Sequence, residues 1–362
     1  MATGHSRIIV ALSGGVDSAV TALLLRREGA DVQGLFMHNW DDDEDGYCTS
    51  ARDYQDARAV AQELAIPLHS VDLSAEYRER VFANFLQEYR AGRTPNPDVL
   101  CNREIKFGDC LRHAARLGAD LLATGHYARI EQQADGPALL KGLDEGKDQS
   151  YFLHAVPRAQ FARVLMPLGE LHKARVRELA REGGLPVFDK RDSTGICFIG
   201  ERPFREFLAR YVEHSPGPIR TPAGEEVGTH IGLPFYTLGQ RSGLQLGGVQ
   251  GHDEAPWYVA AKIAASNTLV VVQGQDHPLL DSRSLRTDVV NWLATPPAAP
   301  FEACVRLRYR QADQQARVVP LAGGGMQIEA ATPQRSVTPG QSAVVYAGDR
   351  CLGGGVIVQT DI

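Results

Sequence analysis

The segment SGGVDS at 13–18 constrains this chain more than any other. It follows RIIVAL, a short β-branched run, and precedes AVTALLLRR, whose apolar spacing is helical and which stops at Gly29. A strand that feeds a helix through two glycines makes a tight turn, and the amides of that turn join the helix N-terminus in facing an anion. The segment therefore predicts a phosphate loop between a strand and a helix. A Walker loop, G-x-x-x-x-G-K-[ST], carries a lysine that reaches the outer phosphates, and SGGVDS has no such lysine. Read for structure alone, the same residues are a glycine turn in which Asp17 and Ser18 cap the helix.

The surrounding pattern gives the loop a setting. DVQGLFMHNW and LHSVDL read as further strands, ARDYQDARAVAQEL and YRERVFANFLQEY as helices, IKFGDCLRHAARLG as a helix and LLAT as a strand. Alternation of this kind predicts a parallel sheet with helices on both faces, and ligands in such sheets sit beyond the carboxyl ends of the strands. Ser13–Ser18, the segment after Met37, and Gly125–His126 all fall there. Residues 155–212 read as mainly helical, interrupted by DKRDSTGICFIGER, and from about 215 onward short β runs alternate with glycine and proline turns. With 362 residues the chain exceeds one typical domain. Three units are expected: an α/β unit over 1–212, a small β-rich unit over 213–280 and a β unit over 281–362. No apolar run approaches the roughly 18 residues of a membrane span, so no membrane association and a cytoplasmic location are expected.

Six cysteines lie far apart, which fits neither a secreted disulfide framework nor a C-x-x-C zinc site and leaves reduced thiols. Two have suggestive neighbours. In NPDVLCN the prolines around Asn96 predict a stiff extended segment, with Asp98 and Cys101 three residues apart beside the turn that opens the next helix. A helix N-terminus there would stabilise a thiolate on Cys101. In STGICFIGER, Cys197 lies in a glycine-containing loop with Lys190, Arg191 and Arg202 nearby. Each cysteine alone is as readily a small buried apolar residue.

Taken together, the segments resemble a known family. SGGVDS is similar to the loop of the PP-loop ATP pyrophosphatases, which split ATP between its α and β phosphates. ALSGGVDS, GLFMHNW, TPNPDVLCNREIKFG, ADLLATGHYAR, LDEGKDQSYFL, DSTGICFIGERPFREFL, TLGQRSGL, EAPWYV, RYRQ and TPGQSAVVY stand in the order found in the tRNA-specific 2-thiouridylases. The resemblance implies a Rossmann-like PP-loop domain, a central β domain and a C-terminal β-barrel that binds tRNA. It implies ATP at Ala11, Leu12, Ser13, Gly14, Gly15, Val16, Asp17, Ser18, Met37 and Gly125, with Asp17 near a Mg²⁺ ion and no permanently bound cofactor. Adenylation of the wobble uridine's two-position oxygen would be followed by sulfur transfer from a persulfide on Cys197, with Asp98 as proton carrier and Cys101 closing a resetting disulfide with Cys197. The two α-carbons must then come within about 7 Å. Asn96, Pro97 and Asp98 would line the base. His126, Asp148, Gln149, Ser150, Tyr309, Arg310 and Gln341 would contact the tRNA. The partners implied are the anticodon stem-loop of lysine, glutamate and glutamine tRNAs and a sulfur donor such as a cysteine desulfurase or a relay protein.

Charge is compatible with this. The formal net charge of −6 requires any nucleic-acid surface to be local. Residues 301–320 supply one, with Arg306, Arg308, Arg310 and Arg317 against Glu302 and Asp313. Two other readings fit less of the sequence: an ATP pyrophosphatase acting on a small molecule, and a non-catalytic tRNA binder with a vestigial nucleotide site. Neither accounts for the two loop cysteines together with Asp98.

Overall fold

The computed structural model describes residues 6–40, 50–192, 203–247, 251 and 253–361. Seven strands belong to the first unit: β1 (Arg7–Ala11), β2 (Asp31–His38), β3 (Leu68–Asp72), β4 (Leu121–Ala123), β5 (Ala128–Gln133), β6 (Gly136–Lys141) and β7 (Val164–Leu165). Five form one sheet in the order β3-β2-β1-β4-β7, every neighbouring pair parallel. The central strand β1 explains its own sequence. Ile8, Val10 and Leu12 join an apolar cluster with Val16, Ala19, Val20 and Leu23 of helix α1 (Val16–Arg27), whereas Ile9 and Ala11 join a second cluster with Phe82, Phe85 and Ile105. A strand covered on both faces reads as a continuous apolar run.

The chain moves from β1 outward to β2 and β3, then returns to the other side of β1 for β4 and β7. Strand order thus reverses at β1, and the loops after β1 and β4 flank the crevice where such sheets take ligands.

Local structure departs from expectation in two places. Residues 155–212, expected to be mainly helical, contain β7, the fifth sheet strand; the 3₁₀ turn Arg158–Arg163 before it imitates helical spacing. Extended backbone ends at Asn96, and the helix opens at Pro97, earlier than expected. Asn96 caps it, its side-chain oxygen accepting from the Asp98 N–H at 3.1 Å, and Pro97 takes the first helical position, where a missing N–H costs nothing. From Pro97 the chain is α-helical to Leu100, π-helical over Cys101–Cys110 and α-helical again over Leu111–Arg116.

The central unit is a four-stranded sheet of Gly217–Arg220, Glu226–His230, Trp257–Ile263 and Thr268–Gln273. Its Val259, Leu269 and Val271 share an apolar cluster with Phe82 and Phe85 of the first unit. The last unit is a six-stranded barrel, closed by pairing of Asp281–Thr287 with Arg350–Thr360. The β5–β6 hairpin of the first unit adds to its sheet, Leu140 pairing with Arg350. No helix among the described residues is long and apolar enough to cross a membrane.

Candidate nucleotide and thiol site

The loop between β1 and α1 is tied to itself. The Ser13 N–H donates to Ser18 Oγ at 3.1 Å, Ser18 Oγ donates to the Gly15 carbonyl at 3.1 Å, and the two serine hydroxyls lie 3.2 Å apart. The first N–H groups of α1 have no partner within the helix and face the turn. Two glycines are required here. Gly14 has φ +75° and a Cβ on it would sit 2.2 Å from the Asp53 carbonyl oxygen, while a Cβ on Gly125 would come within 2.9 Å of the Asp17 carbonyl carbon and the Ser18 nitrogen. The loop after β4 therefore lies directly on the phosphate loop. Ala11 and Leu12 are buried beneath it, and Met37 is half-buried at the end of β2.

Two lysines complete the loop, in a role the sequence does not show. Lys173 Nζ donates to Asp17 at 2.7 and 2.8 Å and is 2.8 Å from Asp192, with its side chain 11% exposed. Tyr127 Oη donates to Asp17 at 2.7 Å. Burial would raise the Asp192 carboxyl, but Lys147 and Lys173 outweigh it and bring it down to about 2. Lys190, expected near Cys197, donates to the Gly14 carbonyl at 3.0 Å and to Asp53 and Asp56. No local signal marks either lysine, since each becomes a loop residue only through tertiary folding.

Asp17, expected near Mg²⁺, accepts from the Lys173 ammonium in this structure. No group of three His, Cys, Asp or Glu among the described residues could hold a metal. A magnesium ion entering with ATP would be held largely by the phosphates themselves, as this ion commonly is.

On the other side of Gly125 lies the cysteine segment. His126 is buried, its Nδ1 2.9 Å from Thr124 Oγ1 and its ring 5.4 Å from that of Phe107, on the π-helical stretch below Cys101. Burial, reinforced by Lys106, holds the imidazole well below its ordinary range, so it is neutral at pH 7. Burial raises the Asp98 carboxyl, and Lys106 opposes the rise. Cys101 is 1% exposed, within the apolar cluster that includes Ile105. Cys197 lies outside the described residues, as does Cys48.

The residues expected to touch tRNA divide. Asp148 and Ser150 are buried and point inward. Asp148 accepts from the Gly142 and Ser150 N–H groups and pairs with Arg306 of the barrel at 2.6 Å, and Ser150 Oγ lies 3.1 Å from Tyr346 Oη. The side chains of these two, expected to contact tRNA, join the first unit to the barrel, and that of Asp148 is 2% exposed. Gln149 accepts from the Tyr127 N–H at 3.0 Å. Tyr309 and Arg310 stand at the rim of a pocket of about 310 Å³ that Arg308, Gln311 and Arg335 also line. Tyr309 stacks 4.5 Å from Phe152, and the Arg310 guanidinium lies 5.1 Å over the Tyr309 ring.

Gln341 reaches the cysteine segment. Its amide donates to the Thr94 carbonyl at 2.7 Å, while the Thr94 N–H donates to the Pro339 carbonyl at 3.0 Å. From the central unit, Lys262 Nζ donates to the Gly92 carbonyl at 3.0 Å, and burial pushes this lysine down to about 8. The backbone just ahead of Asn96 is thus gripped by both β units.

Comparison with known proteins agrees with this architecture. Family models described as "tRNA methyl transferase HUP domain", "tRNA methyl transferase PRC-barrel domain" and "Aminomethyltransferase beta-barrel domain" match residues 6–201, 205–273 and 282–357. The tRNA-specific 2-thiouridylase MnmA of Cupriavidus metallidurans is 57% identical over 354 residues, covering 97% of this chain and 99% of that protein. The enzyme of the same name from Methylibium petroleiphilum is 53% identical, covering 99% of each chain, and that of Ralstonia nicotianae is 54% identical over 98% of this chain and 96% of its own. The chain belongs to the tRNA-specific 2-thiouridylase family. The fold is that of this family: a HUP domain with a parallel sheet, a central PRC-barrel domain and a six-stranded C-terminal barrel. Some domain descriptions speak of methyl transfer, whereas the full-length 2-thiouridylases are named for sulfur chemistry.

Proposed function

We propose that this chain is an ATP-dependent tRNA 2-thiouridylase, a sulfurtransferase that converts the wobble uridine to 2-thiouridine with release of AMP and pyrophosphate. The observation that carries the reading is the Gly125–His126 dipeptide. Gly125 lies on the phosphate loop and His126 lies against the π-helical stretch that begins at Cys101, so two residues join the ATP loop to the thiol segment. A phosphate loop alone would serve many adenylating enzymes. One linked through Gly125 and His126 to the helix that carries Asp98 and Cys101 fits activation of an oxygen and its replacement by sulfur.

The chemistry follows from the leaving group. The uridine two-position oxygen attacks the α-phosphorus of MgATP, the bond to the bridging oxygen breaks, and pyrophosphate leaves. The terminal sulfur of a Cys197 persulfide then attacks the activated carbon, and the oxygen departs with AMP. Cys101 thiolate attacks the Cys197 sulfur, forming a Cys101–Cys197 disulfide and freeing the sulfur now bound to the base. A dithiol reductant restores both thiols, and a sulfur donor such as a cysteine desulfurase or relay protein reloads Cys197. Asp98, its carboxyl raised by burial, is suited to carry the proton. Asn96 and Pro97 stand beside it at the mouth of the helix, and Tyr309 with Arg310 supplies an aromatic and a cation for an unstacked anticodon loop of lysine, glutamate or glutamine tRNA. Methyl transfer needs neither an anion loop nor paired thiols, so the reading stays with sulfur.

The test is one incubation of the protein with MgATP, a persulfide donor and unmodified glutamate tRNA, beside Cys197→Ser, scored by nucleoside mass spectrometry and nucleotide analysis. We expect 2-thiouridine and AMP in equal amounts, with thiouridine absent from the variant. AMP without thiouridine, unchanged in the variant, would return the chain to small-molecule adenylation.

A further inference from the structure

We propose that Lys173 is a catalytic residue of the ATP site, the cation that meets the phosphates where a Walker loop would use its own lysine. This rests on the reading of the chain as an ATP-using thiouridylase and adds to it a group contributed from outside the loop.

Three observations lead there. Lys173 Nζ lies 2.7 and 2.8 Å from the carboxylate of Asp17, the second residue of the helix whose N-terminus forms the anion cradle. The ammonium is therefore beside the cradle. It is also held from two directions, by Asp17 and by Asp192, and Asp192 is itself fixed by Lys147 at 2.7 Å and Arg177 at 2.7 Å. A charge positioned in advance costs no reorganisation when the reaction needs it. Lastly, Lys173 is nearly covered and its ammonium stands 5.7 Å from the Tyr127 ring centre, which limits water access to the lysine on that side.

Lys190 differs in position and role. Its Nζ is shared among the Gly14 carbonyl, Asp53 and Asp56, which pins the loop backbone to the helix carrying those aspartates. Lys190 is a positioning residue, and Lys173 is the one whose ammonium lies at the cradle.

In the reaction, the two-position oxygen bonds to the α-phosphorus as the bond to the α,β-bridging oxygen breaks. The electron pair of that bond goes to pyrophosphate. Lys173 donates a hydrogen bond to a non-bridging β-phosphate oxygen, over which the developing charge spreads, and its proton stays on nitrogen.

The probe is α,β-methylene ATP, which carries the triphosphate but cannot be split, titrated calorimetrically without tRNA into wild type, Lys173→Gln and Lys173→Arg, with AMP as the companion ligand. Loss of a charge-assisted hydrogen bond predicts an affinity for the analogue about 10- to 100-fold weaker in Lys173→Gln, with AMP affinity within about threefold of wild type. AMP formation in the presence of tRNA should fall about 100- to 1,000-fold. Unchanged affinity for the analogue overturns the proposal, as does an equal loss for both ligands, which would make Lys173 a mere support for Asp17. Should Lys173→Gln fail to fold, Lys173→Met decides, since it keeps the length of the side chain but not its charge: a selective loss for the analogue, restored in part by Lys173→Arg, supports the role, and parallel behaviour of Lys173→Met with both ligands refutes it. Thiouridine formation by the same wild-type preparation is scored separately. Its absence strikes the functional reading, whereas the tRNA-free titration judges Lys173 by itself.

Discussion

The phosphate loop and the cysteine segment lie on either side of Gly125, yet they are held in opposite ways. The loop is fastened from within its own unit, by Ser13, Ser18, Lys173 and Lys190. The backbone ahead of Asp98 and Cys101 is fastened from outside, by Thr237 and Lys262 of the central unit and by Pro339 and Gln341 of the barrel. The difference teaches a division of labour. The fastening of the phosphate loop is a property of the first unit, while the geometry of the thiol segment belongs to the assembled molecule. A tRNA that engages the barrel at Tyr309 and Arg310 thereby meets the same unit that holds the cysteine segment in place.

The sharpest separation comes from Cys101→Ser. Thiouridine formation should drop by at least about 1,000-fold while affinity for α,β-methylene ATP stays within about twofold, read by mass spectrometry and calorimetry on one preparation. Equal loss of both would erase the distinction between the two regions. Next in size is Arg306→Met, which leaves buried Asp148 without its cation. Removing one partner of such a pair costs about 3–5 kcal/mol, so thermal unfolding should shift sharply downward.

Lys262 gives a pH signature. Its folded value of about 8 lies below the roughly 10.4 of an unfolded lysine, so between these limits the unfolded chain binds more protons. Wild-type stability should therefore gain about 1–3 kcal/mol from this group as pH rises from about 8 toward 10.4, and Lys262→Met should lack that gain in denaturant titrations. The smallest effect belongs to Gly340, which has φ +94° and where a Cβ would come within 2.8 Å of the Thr94 nitrogen. Gly340→Ala should slow thiolation about tenfold with nucleotide binding untouched, the remote counterpart of damage at Gly125.

What the sequence made legible follows the same line. The loop, its flanking strand and helix, and the parallel sheet are local patterns, and period and glycine placement reveal them. The joint significance of Asp98, Cys101 and Cys197 came only from the ordered run of motifs, because a cysteine among apolar neighbours has no signature of its own. Lys173 and Lys190 could not be read, since a lysine opening a helix and a lysine in a loop both look like solvated charges. Asp148 and Ser150 mislead in the opposite sense. They are polar and beside a turn, which suggests a surface, yet the barrel closes over them and turns them into an internal joint. Pro97 was ambiguous by nature, because proline suits an extended segment and a first helical position alike, and the Asn96 cap decided the matter.

The two lysines also bear on how the protein is made. Ser13–Ser18 leave the ribosome early, whereas Lys173 and Lys190 are encoded far downstream, and synthesis at about 5–20 residues per second separates loop from lysines by roughly ten to thirty seconds. During that interval a nascent chain has the glycine turn but not the cations that fasten it, nor β7, which closes the sheet edge beside β4. The newborn enzyme consequently lacks the charged fastenings of its phosphate loop until most of its first unit has emerged.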